Sequence, residues 1–346
     1  MNKKLISMAI AAVLAAPAIS VADVSISGTM HMSIDATDSG DASDSDNTSV
    51  SSNFSNIVFS GDEDLGNGMK AVWQVMNVTV LDESNGAQWA TGPSYLGLAG
   101  DFGTVIMGKA DTPYFTFQSG FDVFDGTLAD LATTMGTDGG GNTNAWSDNF
   151  NLTTQNTIAY ISPDMGGFSV VGAYVTDWDA AGAEDNNNTD AFSVSASYSS
   201  GGLMVGGAFE RHNHDGGVTN DGIELGASMT MGETSVGLLW ENLDGDSNTD
   251  RDAWAVYLTQ GFGNNTAKVL YTTVNESSNN LDEASMWAIG LDHAMSKRTS
   301  VYGMYASLEN DDNSQRSLGG VDHGDILTYN SGADQSGFSM GIVHSF

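Results

Sequence analysis

The sequence predicts an all-β fold, a transmembrane antiparallel β-barrel of about sixteen strands, and three observations predict it. The last nine residues, Phe338-Ser339-Met340-Gly341-Ile342-Val343-His344-Ser345-Phe346, put a large side chain at every second position and end on an aromatic residue. A period of two is one face of a strand. Segments of about ten residues with the same alternation recur along the chain, the length a tilted strand needs to cross a bilayer. The connections between them fall into two classes, tight Gly/Asn/Asp turns and long acidic stretches, as in a barrel with short turns at one rim and long loops at the other.

The chain opens with Lys3 and Lys4, an apolar run from Leu5 to Ala16, Pro17, and a small-x-small site at Ser20-Val21-Ala22. This reads as a secretory signal peptide over residues 1–22, with the barrel domain over 23–346. The apolar run is short and broken by Pro17, which argues against a retained anchor. No other stretch approaches the ~20 apolar residues of a spanning helix, so a membrane-embedded chain has to be a barrel. Its destination is the outer membrane of a Gram-negative bacterium.

Without cysteine, the fold relies on backbone pairing and packing, and thiol chemistry and cysteine-zinc sites are excluded. Removing the leader leaves eight basic against 44 acidic residues, a formal charge of −36. Such a surface attracts cations and repels nucleic acid, so no nucleic-acid partner is expected.

The first strand runs from Asp23 to Ala36, with Val24, Ile26 and Gly28 alternating with Ser25, Ser27 and Thr29. Strands follow near 53–63, 69–81, 94–101, 104–109 and 154–163. Later come 168–177, 190–199, 203–211, 223–231, 234–243, 253–262, 266–275, 284–294 and 299–308, before the terminal strand. Tight turns are expected at Gly66-Asn67-Gly68, Asp101-Phe102-Gly103, Asp164-Met165-Gly166, Ser200-Gly201-Gly202, Gly232-Glu233, Gly263-Asn264 and Ser296-Lys297, where Gly, Asn and Asp supply positive φ. The long connections include 37–51, 177–190, 244–252 and 310–334. The longest, 110–153, exceeds what a compact domain tolerates without a function. Aromatic residues such as Trp73, Tyr160, Trp240, Tyr257, Trp287 and Tyr302 fall on strands and suit a membrane-interface belt.

Several segments resemble a known family. The run from Ser55 through Phe59-Ser60-Gly61 to Gly66-Asn67-Gly68 is similar to the strand-turn-strand near the start of Gram-negative general diffusion porins. Gly97 to Lys109, followed by Thr112-Pro113, resembles the entry to their constriction loop. Asn156 to Pro163 and the terminal His344-Ser345-Phe346 extend the likeness over the whole mature chain. The resemblance implies a sixteen-stranded barrel, normally a homotrimer, whose third long loop, here 110–153, folds into the lumen and narrows a water-filled pore. A loose external loop or a plug is the competing reading of the same segment.

In that family, loop carboxylates face basic wall residues across the pore. The loop here offers Asp111, Asp122, Asp125 and Asp130 among Phe115, Phe117, Phe121 and Phe124, with Asp122 and Asp125 favoured as pore-facing. Rings anchoring a loop with solvated acids between them would give the same pattern. The wall departs from the family: Asn56 and Ser60 stand where basic residues are common, and Thr153-Thr154-Gln155 replaces another basic position. Lys109 is left as the basic wall residue near the constriction, and a cation-preferring pore is expected.

Asp244, Asp246, Asn248 and Asp250 alternate like the start of an EF-hand, but Thr249 and Ala255 stand where its glycine and closing glutamate belong, so no specific site is expected. Loosely held Ca or Mg bridging acidic loops to lipopolysaccharide needs only charge density. His212 and His214, placed in a loop, make a weak transition-metal pair. No cofactor is expected, and no residue pattern supports catalysis. The leading function is passive diffusion of ions and small hydrophilic solutes. The alternatives are a substrate-selective porin and a surface barrel acting as an adhesin or receptor.

Overall fold

Side chains alternate between large apolar groups on one face of each strand and small or polar groups on the other, so a single sheet presents one lipophilic and one hydrophilic surface. The computed structural model describes residues 23–41, 47–82, 89–136, 149–177, 189–214, 217–245, 250–275, 282–320, 323–324 and 330–346. The predicted signal peptide, 1–22, lies outside them. The strands are β1 (Asp23–Asp38), β2 (Asn47–Ser52), β3 (Asn56–Gly66), β4 (Met69–Val78), β5 (Ser94–Gly100) and β6 (Gly103–Asp111). After helix α1 (Pro113–Ser119) come β7 (Thr153–Ile161), β8 (Phe168–Val175), β9 (Asp190–Ser200), β10 (Leu203–Asn213), β11 (Thr219–Met231) and β12 (Thr234–Gly245). The last five are β13 (Arg251–Phe262), β14 (Asn265–Val274), β15 (Ala284–Ala294), β16 (Thr299–Asn310) and β17 (Gln335–Ser345).

Neighbours pair antiparallel throughout, and β1 pairs with β17 from Thr29↔Ser345 to Asp38↔Ser336, which closes the sheet on itself. β2 and β3 are two halves of one barrel strand, because both pair with β1, across Met32–Thr37 and Asp23–Thr29 respectively. Sixteen barrel strands therefore close the cylinder. Between the halves, Phe54 takes φ 47°, while Asn53 N–H donates to the His31 carbonyl at 2.9 Å. The serine-rich half Asn47–Ser52 has one large outward residue, Val50, so its alternation is weak in the sequence. The long acidic loop expected at 37–51 is accordingly shorter, because β1 runs on to Asp38 and β2 begins at Asn47.

The expected tight turns lie where predicted, and Gly232 at φ 65° and Gly201 at φ 61° occupy the left-handed region that an L side chain resists. Ile34, Leu96, Met107, Leu225, Leu238, Val256, Ile289 and Met340 are among the large apolar residues exposed on the outer face. Trp240 and Trp254 pack on that face, as do Trp287, Tyr305 and Phe338, whose successive rings lie 5.4 Å apart. Tyr257 and Tyr302 fall on the opposite parity, next to the outward Val256 and Tyr305, and face the lumen, so they are not part of a lipid-facing belt.

The seam is tightest at its periplasmic-turn end. Gly28 N–H donates to the Phe346 carbonyl at 3.3 Å, Phe346 N–H returns to Gly28 at 3.1 Å, and a Cβ on Gly28 would lie 2.3 Å from the Asn56 carbonyl oxygen and 2.9 Å from the Phe346 ring. Gly28→Val is expected to cost about 1–3 kcal/mol by overpacking. Its heat-modifiable gel-mobility shift should move to lower temperature, whereas Gly303→Ala, with nothing nearer than Met340 at 3.9 Å, should leave it unchanged.

Candidate functional site

In the segment joining β6 to β7, the described residues 112–136 and 149–152 fold against the inner wall. Thr112 caps α1 by accepting the Phe115 N–H at 3.2 Å, and Pro113 sits in the first turn, where its missing N–H costs nothing. α1 packs on β9 and β10, with Tyr114 N–H donating to Ser193 Oγ at 3.0 Å. From there the chain runs along the wall from β10 to β17, and four large side chains meet glycines. Phe117 covers Gly206 of β10, Phe121 covers Gly226 of β11, Phe124 covers Gly290 of β15, and Leu128 covers Gly337 of β17. A Cβ at these glycines would approach the covering side chain to 2.9, 2.2, 2.7 and 2.7 Å. Phe121, Phe124 and Leu128 are each 1% exposed, and burying such a side chain is worth about 1.5–3 kcal/mol.

Polar contacts fasten the same segment. Tyr114 OH and Gly136 N–H both donate to Glu241 Oε2, at 3.0 and 2.7 Å. Burial, then the charges of Glu241 and Glu224, push the Tyr114 hydroxyl well above its ordinary pKa, so it stays a donor. Thr134 Oγ1 donates to Thr272 at 2.8 Å, and Arg316, from the last long connection, donates to the Thr133 and Thr134 carbonyls at 3.2 and 3.1 Å. Glu210, Glu224 and Glu241 line three adjacent strands beneath the loop, all fully buried. His212 is on β10, not in a loop, where it stacks on Phe150 at 4.5 Å and meets Glu210 at 2.7 Å, so it does not form a metal pair with His214.

Of the sequence-predicted residues, Asp122, Asp125 and Asp130 come together, with one ligand atom from each lying within 4.8 Å of the others. Asp122 accepts the N–H groups of Phe124 and Leu131, both at 2.7 Å, and Asp130 accepts those of Ala132 and Gly126 at 2.9 and 3.0 Å. Asp125 is the exposed member. Burial and the charge of Asp125 push the Asp122 carboxyl up to about 7, against the pull of its N–H donors and Lys268. The protein crowded around Asp125 raises its pKa too, again opposed by Lys268.

Asp111 stands apart, closing the neck of the loop by accepting the Thr153 hydroxyl at 2.5 Å. Asn56 and Ser60 pair with Thr29 and Ser25 and face inward on β3. Lys109 is not the cation opposite the loop acids, because its ammonium donates to the Thr91 carbonyl and neighbours Asp111. That place belongs to Lys268 on β14, which pairs with Asp292 at 3.1 Å and lies 4.6 Å over the Phe124 ring. Sequence reasoning missed Lys268 and the three glutamates. Their signal was strand parity: Lys268 alternates with the outward Val269, and Glu224 with Ile223 and Leu225.

Asp250 accepts the Gly245 N–H at 3.3 Å, while Asp246 and Asn248 lie outside the described residues. Gly337-Phe338-Ser339-Met340-Gly341 spells the Gly-x-Ser-x-Gly pattern of hydrolase nucleophiles. It lies within β17 and pairs with β1 and β16, without the strand-to-helix turn that exposes such a serine.

The glycine seat is expected to control how far the loop projects. Gly226→Leu and Gly290→Leu should push it toward the pore axis and lower single-channel conductance in planar bilayers, whereas Gly172→Ala, with open space around it, should conduct as the parent does.

The closed barrel recurs in known proteins. The family description Gram-negative porin matches residues 8–313. The chain is 28% identical over 338 residues to the major outer membrane protein P.IB of Neisseria meningitidis serogroup B, spanning 87% of this chain and 91% of that protein. It is 27% identical over 305 residues to outer membrane porin protein 32 of Delftia acidovorans, spanning 83% of each. Among solved structures, an anion-selective porin from Comamonas acidovorans superposes with a TM-score of 0.77 at 23% identity, over 94% of this chain and all of that one. The trimer form of OmpT, an outer membrane protein of Vibrio cholerae, gives 0.69 at 16% identity over 94% of this chain and all of that one. A closed sixteen-stranded barrel and a family match spanning most of the chain lead to one conclusion: this is an outer-membrane protein of the Gram-negative porin family.

Proposed function

We propose that the protein is a passive, water-filled channel for ions and small hydrophilic solutes, with a preference for cations, and that the loop expected at 110–153 forms its constriction through the described residues 112–136 and 149–152. The observation that carries the ion preference is the pairing of the lumenal cations. Lys70 is matched by Asp62 at 2.9 Å and Lys268 by Asp292, Lys109 neighbours Asp111, and Arg251 and Arg316 lie close to Glu241. Against them stand Asp122, Asp125 and Asp130 on the loop, where Lys268 lowers both Asp122 and Asp125. A lumen with this imbalance has a negative potential that concentrates cations and fades in strong salt, since the Debye length falls from about 8 Å at 0.15 M to about 3 Å at 1 M. The Comamonas acidovorans porin is anion-selective, so the proposed preference is a property of this chain's charges and not of the fold.

The same reading takes residues 1–22 as a cleaved signal peptide and the working unit as a homotrimer, in keeping with the trimer form of the Vibrio cholerae relative. Its acidic outer connections suit loose Ca or Mg bridges to lipopolysaccharide.

Reversal potentials in planar bilayers under a KCl gradient test the preference. The parent should be cation-selective at low salt, less so at 1 M, and Asp122→Asn with Asp125→Asn should cut the permeability ratio several-fold. With the Asp122 carboxyl at about 7, its charge is present above neutrality and lost as pH falls through that value, so selectivity should decline from pH 8 to pH 6. Anion selectivity throughout would refute the assignment. Intact mass spectrometry and light scattering should give a mature chain beginning at Asp23 and three copies per particle.

A further inference from the structure

We propose that Asp122, Asp125, Asp130 and Gln118 form a specific site on the lumenal loop for a hard divalent cation of the Ca2+ class. The first observation is geometric. Three carboxylates from one short stretch of chain each bring an oxygen within 4.8 Å of the other two. Ca2+ binds oxygens at about 2.3–2.6 Å, so opposite ligands around it lie about 4.6–5.2 Å apart, and the three oxygens fit around one ion. Mg2+ demands near-ideal octahedral geometry and gives up its waters reluctantly, so it is expected to bind more weakly.

The second observation is Gln118. Its side chain is 2% exposed, its Nε2 has no hydrogen-bond partner, and it lines the same recess as the three aspartates, with Phe115 and Ser119 beside it. A buried amide nitrogen without a partner is costly and needs a reason. With its Oε1 turned into the recess, this amide would supply a neutral fourth oxygen ligand, the kind that Ca2+ accepts from glutamine. The backbone N–H donors to Asp122 occupy one direction at each of its oxygens and leave lone pairs for an ion, while Asp125 opens the recess to lumenal water for the remaining coordination.

Charge points the same way. Lys268 is the cation that draws down both Asp122 and Asp125, and it is already engaged with Asp292 and the face of Phe124. A divalent ion would also reduce the three loop charges to one. This consequence for conduction rests on the channel reading above, whereas the site itself does not.

Isothermal titration of CaCl2 into the chelator-stripped, detergent-solubilised full-length protein tests the site. One saturable Ca2+ event is expected, with Mg2+ weaker. It should be weakened about tenfold or more by Asp125→Asn, several-fold by Gln118→Met, and unchanged by Asp250→Asn on an outer loop. Asp125 makes the fewest loop contacts of the three acids, and the heat-modifiable mobility shift of each variant confirms that the barrel is folded. Identical isotherms for the parent and Asp125→Asn, or binding that vanishes in 0.5 M NaCl as diffuse attraction does, would overturn the site. In bilayers, Ca2+ should lower the cation preference of the parent but not of Asp125→Asn. Ca2+ binding by a protein that does not conduct would refute the channel reading alone, and conduction without Asp125-dependent binding would refute the site alone.

Discussion

The ladder between β1 and β17 is the constraint on which everything else rests. A bilayer offers no partner to an unpaired backbone N–H or carbonyl, so a sheet can live there only when its first and last strands satisfy one another. Once the ladder closes, parity becomes absolute: each strand residue faces either lipid or lumen, and a slip of one residue at any pair would turn Leu225 inward and Glu224 into hydrocarbon. Chain ends therefore carry unusual weight here. The carboxy-terminal Phe346 pairs with Gly28 and sits over it, so the seam is sealed by the packing of one ring against one absent side chain.

The loop inside the barrel is held by the complement of that logic. Lumenal positions need no apolar cover of their own, and glycine there leaves hollows that Phe117, Phe121, Phe124 and Leu128 fill. Hydrophobic burial thus occurs on the face reserved for water, and it fixes the loop over a wide arc of wall. The hydrogen bonds to Glu241, Thr272 and Arg316 add direction to a contact that apolar packing alone would leave free to slide.

Most of the wall could be read from the sequence, because a two-residue period over some ten residues leaves few alternatives; β15 was predicted at 284–294 and spans Ala284–Ala294. The reading failed where side chains were too small to show a period, at the serine-rich half-strand before Phe54. The clustering of Asp122, Asp125 and Asp130 lay within three-to-eight-residue reach of one segment, and a local turn can bring such residues together. Lys268 is more than a hundred residues away along the chain, and nothing local to it announces that Phe124 will lie beneath its ammonium. Lumenal glycines were equally silent. In the sequence they resemble the glycines of turns, and only the register of neighbouring strands separates a hollow from a bend.

The grip of Arg316 on the Thr133 and Thr134 carbonyls ties the last long connection to the lumenal one, two segments that are distant in sequence. Gly319 N–H reaches the Leu128 carbonyl at 3.0 Å and strengthens the tie. The constriction is consequently not a cassette. Grafting residues 112–152 onto another barrel would strand its carbonyls and rings unless the recipient also supplied the arginine-bearing connection and a matching trail of glycines, so lineages that exchange outer loops freely must inherit these parts together.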